Sequence, residues 1–199
     1  MKHFFRILML TGLLAFAACS SQSVHRDVAV PPIIGLRNPS VHFIVDNTRK
    51  LPVTGTYDWG HTIFQVANLP EFDLSTADQR IHDALQKTFS AKGFVKATAN
   101  PDLLVSYALA MDSGLDEKTL NEAYEGTVLS LPKLAGNGQP SVQYRQGTLI
   151  VDIVETTTRH LLWRGAIKAE VELGISEDAK QQRVQAVVTE LLKNYPKPR

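Results

Sequence analysis

Between Leu161 and Val171 the chain alternates without a break. Leu161, Trp163, Gly165, Ile167, Ala169 and Val171 fall on one side, and Leu162, Arg164, Ala166, Lys168 and Glu170 on the other. Extended backbone points successive side chains to opposite faces, so a strict period of two is the pattern of a strand with one face toward a core. Thr148 to Val154, just upstream, is β-rich, and Glu155 to Thr158 reads as the turn between the two runs. Residues 148–171 therefore predict a hairpin, which commits the chain to a sheet and requires further elements to flank and cover it.

Those elements are visible upstream and downstream. Val41, Phe43 and Val45 alternate with His42 and Asp46, Thr56-Tyr57-Asp58-Trp59 alternates likewise, and Asn47 to Gly55 with Pro52 reads as the loop between two half-buried strands. Ser75 with Asp78 three residues later predicts a helix start, after which Ile81, Ala84, Leu85, Thr88 and Phe89 keep the spacing of one apolar face. Gly93 closes that helix in the left-handed conformation. Phe94 to Ala97 predicts a short strand, and Asn100-Pro101 a turn. Asp102 to Met111 predicts a long strand with Leu103, Val105, Tyr107, Leu109 and Met111 on one face. Its other face holds the small residues Ser106, Ala108 and Ala110, which admits a closely packed partner. A last helix begins at Ser176 with Glu177 and Asp178 in its first turn, buries Val184, Val187, Val188 and Leu191, and ends at Tyr195-Pro196. Strands in runs with two amphipathic helices predict an α+β fold: a mainly antiparallel sheet with two principal helices packed on one face.

The N-terminus carries an address. Lys2, His3 and Arg6 precede an apolar run from Ile7 to Leu14, and Ala15-Phe16-Ala17-Ala18 leads to Cys19, the one cysteine of the chain. A basic start, a short apolar stretch and small residues before a cut are the marks of a removed export signal. The run is too short for a bilayer span, which takes about 20 apolar residues. Phe16-Ala17-Ala18-Cys19 resembles the lipobox of bacterial lipoproteins, with Phe16 where that family usually carries Leu; the alternative is an ordinary signal with a coincidental cysteine. The resemblance implies cleavage before Cys19 and acylation of it, which anchors the protein to membrane lipid without spanning it. Ser20 after the cysteine, by resemblance to enterobacterial sorting rules, implies the outer membrane, with the domain facing the periplasm. Residues 1–18 are then a signal peptide and residues 19–40, with Pro31, Pro32, Gly35 and Pro39, a lipidated cysteine and flexible tether. Residues 41–199 form a single domain.

Charge and cysteine usage exclude several classes. The chain has 21 basic and 20 acidic residues, and cleavage removes Lys2 and Arg6 but no acid, so the mature chain is nearly neutral. No basic stripe marks a nucleic-acid footprint. With Cys19 committed to lipid, no thiol is left for a disulfide, a zinc site or a nucleophile.

Candidate chemistry is sparse. His42, His61, His82 and His160 are single, with no metal-ligand spacing, and hydrogen-bonded or surface histidines are the default. Asp112, Asp116 and Glu117 around Gly114 lack the ligand alternation of a calcium loop and read as a solvated acidic loop. Asp152 lies in an otherwise apolar strand, where a carboxylate must be exposed or paired; a cross-strand pair with Arg164 outweighs a catalytic acid. No Gly-x-Ser-x-Gly elbow supports a serine nucleophile. Trp59 and Trp163 read as core, with a groove for an apolar, glycan or peptide ligand as the second reading. No catalytic residue, metal or cofactor is assigned.

Thr56-Tyr57-Asp58-Trp59, Ala91-Lys92-Gly93-Phe94, Pro101-Asp102-Leu103-Leu104-Val105, Gly147-Thr148-Leu149-Ile150-Val151-Asp152 and Leu162-Trp163-Arg164-Gly165 occur in this order. Together with the lipobox, the set resembles the bacterial lipoprotein family called domain of unknown function 4136, over most of residues 41–196. The irregular stretch 112–146 departs from that pattern. The resemblance implies an envelope lipoprotein and carries no catalytic residues. The expected function is a lipid-anchored binding or assembly module that meets an envelope protein or cell-wall component through 112–146 or an exposed sheet edge, with no nucleic acid as partner. The alternatives are an envelope hydrolase, whose cleft would gather Asp152, a histidine and a backbone N–H pair, and a purely structural lipoprotein.

Overall fold

The computed structural model describes residues 29–46, 48–66, 69, 72–111 and 144–196. Six strands form one sheet: β1 (Leu36–Val45), β2 (Gly55–Val66), β3 (Phe94–Lys96), β4 (Leu103–Met111), β5 (Tyr144–Glu155) and β6 (Leu161–Glu172), in the spatial order β1-β6-β5-β4-β2-β3. Helix α1 (Leu74–Ala91) lies between β2 and β3 in the chain, and α2 (Glu177–Leu192) follows β6.

The α+β class holds, while the expectation of a mainly antiparallel sheet is corrected to a mixed one. β1, β6, β5 and β4 pair antiparallel in turn, but β2 runs parallel to both β4 and β3. The reason is the position of α1. A helix placed after β2 carries the chain back to the end where β2 began, so β3 and β4 then run alongside it in the same direction. The predicted hairpin forms as β5 and β6, with Ile153 opposite Trp163 and Val154 opposite Leu161. Leu162 is thus the extra residue of a bulge, which lets it join the core although it alternates out of phase.

Several boundaries move. β1 begins at Leu36, and Ile33 is buried in the core, so residues 33–40, which the composition places in the tether, belong to the packed structure. β5 begins at Tyr144, ahead of the expected Gly147. The cap of helix α1 lies two residues before Ser75: Asp73 is the N-cap, its Oδ1 accepting from the Thr76 N–H at 3.1 Å. The other end is as read, with Gly93 at φ 87°. Ser176 caps α2 by accepting from the Ala179 N–H at 3.3 Å.

The core lies between one face of the sheet and the two helices. Tyr57, Val105, Tyr107, Val151 and Trp163 meet Ile81, Leu85, Phe89, Val188 and Leu191 there. The helices run parallel: Arg80 pairs with Glu177 near their N-termini, Gln185 donates to Thr88 at mid-length, and the Lys92 amine donates to the Tyr195 carbonyl beyond their C-termini. The opposite face of the sheet is buried along its centre as well, at Ser106, Ala108, Ile150, Asp152, Arg164 and Ala166. No described helix is long and apolar enough to cross a membrane.

Candidate functional site

The ordered motifs turn out to be joints of the sheet. The Asp102 carboxylate accepts from the backbone N–H and the hydroxyl of Thr56, both at 2.7 Å, and pins the start of β4 to the start of β2. These bonds hold its pKa below the ordinary carboxylate value. Trp163 is fully buried against Tyr195, with ring centroids 5.7 Å apart. A Cβ on Gly165 would stand 2.2 Å from the Trp163 indole, so only glycine leaves room for the ring. Arg164, between them, points to the other face and donates from Nε and Nη2 to the two oxygens of Asp152, both at 2.6 Å.

That pair settles the role of Asp152. Its side chain has no exposure and both oxygens accept from one guanidinium, so it is the cross-strand partner of Arg164 and not an acid facing a cleft. The histidines are dispersed: His160 lies 3.2 Å from Asp46, whereas His82 packs on Trp59 at 4.0 Å between ring centroids. Among the described residues no group of three or more His, Cys, Asp or Glu gathers to hold a metal. Trp59 is half-buried, edge-on to Tyr57 at 5.5 Å, with the Lys96 amine 5.8 Å above its ring. The Tyr107 hydroxyl donates to Asp78, and burial raises its pKa. Cys19 and the acidic residues Asp112, Asp116 and Glu117 lie outside the described residues.

One apolar concavity is a feature that periodicity could not locate. Between the N-terminal halves of the two helices and the near end of the sheet lies a cavity of about 290 Å³, at the lower bound of ligand pockets. Its wall is apolar: Ala77 and Ile81 from α1, Leu109 from β4, Leu149 from β5, Ile167 from β6 and Val187 from α2. The small residues Gly147 and Ala169 keep this end of the sheet low, and a Cβ on Gly147 would stand 2.7 Å from Val171.

The rim is charged. Arg80, Lys180 and Arg183 meet Asp73 and Glu177 around the opening. Glu177 is shared, accepting from Lys180 at 2.7 Å and pairing with Arg80, and these cations lower its pKa. Asp73 is engaged at its own helix terminus with Thr76. Arg183 is 8 % exposed; its Nη1 donates to the carbonyls of Glu172 at 2.5 Å and Gly35 at 3.4 Å. Desolvation and the neighbouring charge of Arg80 both lower its pKa. Sequence reading missed Arg183, since a basic residue in a helix rich in polar positions looks solvent-facing.

A sheet pinned by Asp102, Arg164 and Gly165, with two parallel helices on one face, defines an α+β domain in which these three residues have structural roles. The chain matches DUF4136, a domain of unknown function, over residues 45–197, and belongs to that family. No curated protein matches it. Among solved structures it is similar to the PelC dodecamer from Paraburkholderia phytofirmans, at 9% identity, 77% coverage of this chain, 94% of that chain and a TM-score of 0.41. It is also similar to a PDZ domain protein from Parabacteroides distasonis, at 15% identity, 70% coverage of this chain, 32% of that chain and a TM-score of 0.37.

Proposed function

We propose that this protein is a cell-envelope lipoprotein, anchored to the outer membrane through Cys19 and facing the periplasm, whose domain is a binding module. The single observation that supports binding is the apolar cavity between the helices and the sheet, open at a charged rim. Concave apolar pockets with a few polar groups at the mouth are the usual form of a small-molecule site. The leader and Cys19 supply the anchoring half of the reading.

The two halves are tested separately. Cys19→Ala in the full chain is expected to leave the membrane fraction, and a variant still sedimenting with membranes overturns the anchor. For the module, native mass spectrometry of the protein purified from its own membranes is expected to reveal a co-purifying apolar molecule that Ala77→Trp displaces. Identical spectra for the two proteins overturn the cavity as the binding site.

A further inference from the structure

We propose that the ligand is a single-chain anionic amphiphile, its acyl chain in the cavity and its carboxylate or phosphate head on Arg183 and Lys180; this rests on the cavity being the binding site.

The wall dictates the tail. Ile81, Leu109, Leu149, Ile167 and Val187 offer a guest dispersion contact and no hydrogen bond. A polar guest there would lose its hydration without replacement, whereas a methylene chain gains by leaving water. The volume of about 290 Å³ suits one chain of medium length rather than a two-chain lipid.

The rim dictates the head. Arg183 is more than nine-tenths buried and lines the cavity; its hydrogen bonds go to two backbone carbonyls through Nη1, and the Glu172 carboxylate acts on it through its charge without a hydrogen bond. A guanidinium has five donors, and those on Nε and Nη2 form no hydrogen bond among the described residues. A buried cation in this state is stabilised by an incoming anion more than an exposed one would be, because water competes less. Lys180 stands one turn before it on the same helix and Arg80 faces it from α1. Of the two rim carboxylates, Glu177 is already neutralised by Arg80 and Lys180, and Asp73 by its helix terminus. The parallel helices also bring two positive dipole ends to this side of the cavity, which adds to the bias toward a negative head.

Fatty acids and monoacyl phosphates share this chemistry, and the chain's own acylated Cys19 is a third source of an acyl tail. We commit to a free amphiphile. The full chain carrying Cys19→Ser, which removes the internal source, is titrated by calorimetry with dodecanoate, dodecyl phosphate, dodecanol and inorganic phosphate. Both anionic amphiphiles are expected to bind saturably, dodecanol about tenfold more weakly or worse, and inorganic phosphate not measurably. Arg183→Met is expected to bring dodecanoate down to the affinity of dodecanol. Lys180→Met, at a more exposed position, should do so in part; Arg183→Lys should retain most binding. Dodecanol binding as tightly as dodecanoate overturns the headgroup assignment and leaves the binding-module reading standing. Ala77→Trp binding dodecanoate as well as its parent overturns the cavity, and with it both readings. Lipidated wild type in neutral phosphatidylcholine nanodiscs is expected to bind dodecanoate too, and refusal by it alone places the protein's own chain in the cavity and overturns the free ligand.

Discussion

Asp152 and Arg164 form a two-pronged ion pair across the β5–β6 hairpin, with both bonds at 2.6 Å and side-chain exposures of 0% and 5%. Each sits on the sheet face opposite the helices, and each belongs to one of the ordered motifs of the sequence. The pair fixes register: slipping the hairpin by one residue would put the two charges on opposite faces of the sheet, one of them toward the apolar core beside Trp163.

Breaking the pair from either side should cost heavily, since each single change takes the two-pronged partner from a charge buried in a dry place. Asp152→Ala and Arg164→Ala are expected to lower stability by about 3–5 kcal/mol each, measured by urea unfolding. Replacing both by apolar residues, Asp152→Leu with Arg164→Met, should cost much less than the two singles together. A double variant as unstable as the sum would mean that the charges act independently.

Gly165 is held by volume, not by backbone conformation. Its added Cβ would reach within 2.2 Å of the Trp163 ring and 3.0 Å of Leu191. Gly165→Ala should therefore destabilise by about 1–3 kcal/mol through overpacking. The near-ultraviolet circular dichroism of the tryptophan should change with it, and an unchanged spectrum and melting temperature would contradict the packing described.

Acid should loosen the joint between β2 and β4. The Thr56 bonds lower the pKa of Asp102 from 3.8 in the folded state. A group with a depressed folded pKa contributes stability that is present above its unfolded value and is lost as pH falls through the folded one. Melting temperatures of wild type should thus drop more steeply below about pH 4 than those of Asp102→Asn. Parallel curves for the two proteins would remove Asp102 from the account.

Helix α1 contributes its buried face to the core through Leu85, which has no exposure, while Val187 on α2 retains 8% beside the cavity. Leu85→Ala should cost about 2–5 kcal/mol in thermal or chemical unfolding. Val187→Ala should cost less, because it widens a space that already exists instead of opening one.

The strand faces, the hairpin and both helices were legible because alternation and the 3.6 period record which side of an element is dry. Leu103, Tyr107, Trp163, Leu85 and Leu191 all lie where that logic puts them. Pairing direction was not legible, since period two is the same for parallel and antiparallel neighbours; the helix inserted between β2 and β4 was the one available hint. Asp73 was passed over as a cap because Ser75 offered a familiar pattern two residues later. β1 was truncated because Pro39 and the exposed Asn38, at φ 49°, hide a bulged strand start. The cavity left no trace at all: its wall draws residues from both helices and four strands, and nothing local distinguishes Ile167 or Ala77 from ordinary core.

Among the described residues β1 is an edge strand and pairs with β6 alone, Val41 opposite Ile167. A chain made from its N-terminus makes the partner of that first strand only with the last of the six strands, so the sheet closes late and all at once. If the N-terminus is fixed to a surface, the same ladder also makes β1 the first element to feel a pull on the tether. The seam most exposed to force is then the one that folding completes last.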